Sequence, residues 1–74
     1  MESYGALLKA AREEKKLTLE SIESETSISK EFLEALENEN TEVFHGEAYL
    51  VGFLRTYAEY LELDSKKLIS LYRN

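Results

Sequence analysis

Fifteen carboxylates and a single imidazole are the groups in this 74-residue chain that could do acid–base or metal chemistry, and their spacing argues against both. The glutamates recur at helical intervals among polar neighbours, on faces that water reaches, where a carboxylate has no means of acting as general acid or base. His45 lies in a polar loop with no serine or cysteine context to make a nucleophile, which marks it as a surface or hinge residue. The chain has no cysteine, so thiol catalysis and cysteine-built zinc sites are excluded, and one histidine cannot build a zinc site alone. No glycine-rich phosphate loop and no acidic calcium loop is present. The expectation is a protein that binds rather than catalyses, with no cofactor.

Charge narrows what it could bind. Between Thr18 and Glu47, nine glutamates (20, 23, 25, 31, 34, 37, 39, 42 and 47) stand against Lys30 alone, while the rest of the chain is slightly basic. Lys9, Arg12, Lys15 and Lys16 cluster at the end of the first helical segment, where a solvated, dipole-matched helix end accounts for them. No run of 18 apolar residues and no signal-peptide pattern occurs, which points to a soluble chain.

Periodicity supplies the elements that must position any site. Tyr4, Leu7, Leu8 and Ala11 mark one face of a helix from about Ser3 to Lys15. Thr18 is a good N-cap for a short second helix carrying Leu19 and Ile22, and Ser29 for a third that buries Phe32, Leu33 and Leu36, with Ile28 just ahead of it. Glu31, Glu34 and Glu37 are expected to point outward. A loop from Asn38 to Gly46 holds Val43 and Phe44 as an apolar anchor, and Gly46 can supply an unusual backbone angle before a fourth helix ending near Leu61. Asp64 caps a fifth carrying Leu68, Leu71 and Tyr72. No strand is expected, and residues 1–74 read as a single all-α domain of five helices.

The second and third helices, short and closely joined, have the spacing of a helix-turn-helix unit. The order of elements resembles the five-helix repressor-like DNA-binding domains of the Cro and phage-repressor type, with Glu23 where that superfamily usually has a small residue and Ser27 where it usually has glycine. A DNA reader would present Lys30, Glu31, Glu34, Glu37 and Asn38 to the major groove. One cation against three carboxylates repels a polyanion, so no DNA-binding residues are assigned and no nucleic acid partner is expected.

The fourth segment, GEAYLVGFLRTYAEYL, carries more apolar surface than a core needs. Leu50, Val51, Leu54, Ala58 and Leu61 fall on one arc and Tyr49, Phe53, Tyr57 and Tyr60 on a second, together spanning roughly 200° where a core-facing stripe takes a little over about 100°. The aromatic arc either completes the core or anchors a partner, with Phe53 and Tyr57 as anchors and Tyr49 and Tyr60 flanking. The same stripe could also serve self-association.

The run AYLVGFLRTYAEYLELD, preceded by FLEALENENTEVFHG and LLKAAREEKKLTLESIESET, resembles the cytoplasmic domain of the RodZ family of bacterial cell-shape proteins. The family pattern Y-x-x-G-F-L-R-x-Y-A-x-x-L-x-L-D is filled by Tyr49, Gly52, Phe53, Leu54, Arg55, Tyr57, Ala58, Leu61, Leu63 and Asp64, with Glu62 where the family more often has glycine. The resemblance implies a repressor-like domain that has exchanged DNA for protein. It implies binding to the bacterial actin MreB, at the cytoplasmic face of the inner membrane, and thereby a cytoskeletal role in rod shape. It also implies that a linker, a transmembrane helix and an extracytoplasmic domain follow in the full-length, membrane-anchored protein, of which this chain is a piece. The alternative is a sequence-specific transcriptional regulator that keeps the repressor-like task.

Overall fold

Polar side chains start four of the five helices in the computed structural model, which describes residues 2–74. Ser3 caps α1 (Tyr4–Glu14), Thr18 caps α2 (Leu19–Thr26) and Ser29 caps α3 (Lys30–Asn38), each accepting a hydrogen bond from a first-turn backbone N–H. Asp64 starts α5 (Ser65–Arg73) by accepting from both the Lys66 and Lys67 amides. α4 (Glu47–Tyr60) has no side-chain cap; Gly46 enters it at a φ of +106°, which an L-residue rarely adopts. A single 3-10 turn, Thr41–Val43, interrupts the loop before it.

Helix ends are closed at a conformational cost. Lys16, Ser27, Glu39 and Glu62 are all left-handed, with φ between 57° and 65°, although none is glycine. After α1, α3 and α4 the next residue returns its amide to the helix, Leu17 to Arg12, Asn40 to Ala35 and Leu63 to Ala58, so the last turn is satisfied despite the strain. Ser27 and Glu62, where the resemblances lead one to expect glycine, both carry the angle that glycine would adopt freely.

α4 contributes more buried residues to the core than any other helix. Leu50, Leu54, Tyr57, Ala58 and Leu61 from this helix and its C-cap are buried, and they meet Leu8 of α1, Ile22 of α2, Leu33 and Leu36 of α3 and Leu68 of α5. α1 lies across α3 and α5, with Tyr4 edge-on to Tyr72 at a centroid distance of 5.7 Å. α2 and α3 form the helix-turn-helix pair. Its contact tolerates Glu23, because that carboxylate accepts the Lys30 amide at 3.1 Å and so caps α3 from across the turn.

Two expectations are corrected. Glu37 does not point outward: its side chain is 4% exposed and takes both Arg12 Nε, at 2.7 Å, and Arg12 Nη2, at 3.0 Å. Arg12 correspondingly leaves the basic cluster and turns inward, and its Nη1 donates to the Leu17 carbonyl at 3.2 Å. The guanidinium is held more firmly protonated than usual, chiefly by the hydrogen bond to Glu37. This pair ties α1 to α3 beside Gly5, where a Cβ would run into the Glu37 carbonyl oxygen and come within 2.8 Å of Glu39 Cγ.

Gly5→Ala should therefore destabilise the fold by about 2 kcal/mol or more, overpacking outweighing alanine's better helix propensity. Ser27→Gly should stabilise it by about 0.5–1 kcal/mol, because the left-handed angle costs glycine little. Urea denaturation of the two variants beside the wild type checks both signs.

Candidate protein-binding site

Three phenylalanines from three consecutive elements converge on one side of α4. Phe32 comes from α3, Phe44 from the residue after the 3-10 turn and Phe53 from α4. Phe32 stacks on Phe44 with ring centroids 5.3 Å apart and on Phe53 at 5.2 Å, and Phe44 lies tilted against Phe53 at 6.1 Å. Each ring is half-buried. With His45 and Tyr49 they line an apolar depression of about 270 Å³. Tyr49 is 60% exposed, the one large hydrophobic residue among those described that stands out into solvent.

The aromatic arc thus splits. Phe53 and Tyr49 line the depression, as their spacing suggests, whereas Tyr60 is half-buried against the core and does not reach it. Tyr57 is a correction. Its side chain is 0% exposed, so it cannot anchor a partner; its hydroxyl donates to Glu37 Oε2, the same carboxylate that Arg12 holds. A buried phenol needs an acceptor, and Glu37 presents one on the neighbouring helix. Desolvation first, then the bond to Glu37, push the Tyr57 phenol far above its ordinary range. Tyr4, buried against α5 near Glu39 and Tyr72, is pushed up to about 12.

Phe32, Phe44 and His45 complete the depression, where the sequence predicts a core Phe32, a loop-anchor Phe44 and a surface or hinge His45. Only Phe44 offered a signal, as an apolar residue beside the longest polar interruption. Arg12 and Glu37 were missed as a pair, yet Glu37 falls about 40° from Leu33, and Arg12 about 40° from Leu8, on arcs those leucines mark as buried.

The face that would read DNA carries little to hold it. Glu31, Glu34 and Asn38 are exposed, and the one cation on α3, Lys30, gives its ammonium to Glu20 at 2.7 Å. The α3 N-terminus, where a phosphate could sit, is already taken by Glu23. No helix of the described chain is long and apolar enough to cross a membrane.

A family model described as a helix-turn-helix domain matches residues 7–68. The chain belongs to that helix-turn-helix family. The domain superposes, with a TM-score of 0.88, on YmfM from Staphylococcus aureus, a membrane protein proposed to bind DNA; the two are 30% identical, and the match covers 97% of this chain and 88% of that one. It is also 32% identical over 57 residues to YmfM of Bacillus subtilis strain 168, an uncharacterised membrane protein, covering 77% of this chain. The match takes in 20% of that relative's length, so this helix-turn-helix domain corresponds to about one-fifth of it.

Tyr57 and Tyr4 give the domain an alkaline limit. Both folded-state pKa values lie above the ordinary tyrosine value of about 10, so the stabilisation they carry is complete below that pH and is lost as pH rises further. Tyr57→Phe should cost about 1–3 kcal/mol at pH 7 for the lost bond to a charged acceptor, and the gap to wild type should narrow above about pH 10. Urea midpoints measured from pH 7 to 11 test this; a gap that stays constant or widens would contradict it.

Proposed function

We propose that this domain is a protein-binding adaptor of the repressor-like helix-turn-helix fold that docks on filaments of the bacterial actin MreB at the cytoplasmic face of the inner membrane, in the manner of the RodZ family. The observation that carries the reading is the exposed Tyr49 beside a stacked trio of phenylalanines, in a domain whose would-be recognition helix has its one cation tied to a carboxylate. Aromatic groups around a shallow apolar depression are the usual anchors of a protein interface. The motif resemblance over residues 49–64 supports the choice of filament, and the membrane-protein relatives support the location. Phe53 and Tyr49 are the contact residues in this reading, with Phe32 and Phe44 holding Phe53 in place. The acidic stretch of residues 18–47 would steer a partner with a basic surface.

A second reading, a DNA-binding regulator, draws on the Staphylococcus aureus relative. Genuine phosphate contact must show a steep loss of affinity with added salt. The acidic face of α3 weighs against it.

Co-sedimentation with polymerised MreB, alongside thermal melting, tests the adaptor reading. Tyr49→Ala should weaken binding by about 2 kcal/mol, some thirtyfold, with little change in Tm because the ring is exposed. Phe53→Leu should also weaken it while keeping most of the buried volume. Wild-type binding by both variants, or a salt-sensitive duplex-DNA complex in place of filament binding, would overturn the proposal.

A further inference from the structure

A second groove lies on the other side of α4. Arg55, two residues from both Phe53 and Tyr57 and so about 200° around the helix from each, faces α5 instead of the aromatic depression. With Lys66, Ile69, Ser70, Arg73 and Asn74 of the last helix and its end, it lines a cleft of about 350 Å³. Lys66, Ser70 and Arg73 recur at i, i+4 and i+7 on one face of α5, and Arg55 reaches the same cleft from α4.

Five cations hold no carboxylate among the described residues, Lys9, Lys16, Arg55, Lys66 and Arg73, and three of them gather in this cleft. Arg12, Lys15, Lys30 and Lys67 each hold a carboxylate, with Glu37, Glu62, Glu20 and Glu2 as their partners. Arg55, Lys66 and Arg73 are the charged side chains of the cleft, and no acidic side chain lines it. Glu59, one turn along from Arg55, accepts a hydrogen bond from Ser65 at 3.5 Å. In a chain with 15 acidic and 9 basic residues, three cations without an ion pair around one cleft make it a place for an anion.

We propose that this α4–α5 groove docks on the phosphate headgroups of an anionic phospholipid surface. Three exposed cations ring a floor formed by the buried Ile69, which suits a headgroup phosphate above an apolar backbone. The membrane-protein relatives place such domains in chains that meet a bilayer, and the groove faces away from the aromatic depression, so both could be occupied together. Each cation near an anionic surface contributes on the order of 1 kcal/mol, which makes the contact weak in solution and effective when the domain is held close. The proposal rests on this groove and on the membrane-protein relatives, and does not depend on the filament reading.

The test is sedimentation of the chain with vesicles of equimolar phosphatidylglycerol and phosphatidylcholine, and with phosphatidylcholine alone, at low salt. The chain should partition onto the anionic vesicles only, and Arg55→Gln, Lys66→Gln and Arg73→Gln should each lower the partition coefficient about fivefold. Lys9→Gln and Lys16→Gln, cations outside the groove, should change it less than about twofold. Circular dichroism of each variant separates loss of binding from loss of fold. No preference for anionic vesicles, or equal losses from the Lys9 and Lys16 variants, would overturn the proposal. So would assignment of the groove to another anion, seen as groove-dependent binding of inorganic phosphate without vesicles or of duplex DNA in preference to them.

Discussion

A carboxylate enclosed by protein needs donors to replace the water it has lost, and Glu37 has three: two from Arg12 and one from Tyr57. These three residues sit on α3, α1 and α4, so one carboxylate fixes the relative placement of three helices. The pairing is bidentate and the remaining Arg12 nitrogen reaches the Leu17 carbonyl, which extends the constraint to the turn that leads into α2. Among the described residues no buried side-chain polar atom lacks a partner. A network this complete specifies one arrangement of the helices, because any slip between α1 and α3 leaves a charge buried without its counter-charge.

The rotation of α4 follows. With Tyr57 drawn in to reach Glu37, Phe53 one turn earlier stops at the edge of the core and Tyr49 one further turn back stands clear of it. The left-over apolar surface of α4 is therefore smaller than a four-residue stripe and lies nearer the N-terminus of the helix. Phe32 and Phe44 then frame Phe53, and what remains is a shallow aromatic depression with one exposed ring.

Features decided within a few residues were legible in the sequence. Thr18, Ser29 and Asp64 as caps, Gly46 as the unusual angle before α4 and the order of five helices all follow from short-range chemistry and periodicity. Whether an aromatic residue on α4 faces Glu37 or solvent depends on a neighbour about 20 residues away in sequence, which periodicity within one helix cannot report. Treating Glu37 by residue type, as an exposed carboxylate, hid its position beside Leu33. The 3-10 turn that carries Phe44 over Phe32 and Phe53 is held by short-range bonds, Asn40 accepting from the Glu42 amide and Thr41 from the Phe44 amide, while the stacking it leads to depends on two other elements.

In the helix-turn-helix pair, the packing that holds the fold and the charge on its outer face are set by different residues. What makes α2 and α3 a unit is their apolar contact, through Ile22, Ile28, Leu33 and Leu36, and nothing in that contact fixes the charge outside it. On the outer face, carboxylates occupy the two places a nucleic acid would use: Glu23 sits on the α3 N-terminus and Glu20 holds Lys30. Both interactions draw α2 and α3 together at their exposed edge, so the glutamates that repel a polyanion also brace the motif. Replacing them with cations to restore DNA affinity would strip α3 of its cross-turn cap and set like charges against Lys30. The charge pattern is thus coupled to the stability of the motif, and the surfaces proposed for binding lie on the two sides of α4, one aromatic and one cationic.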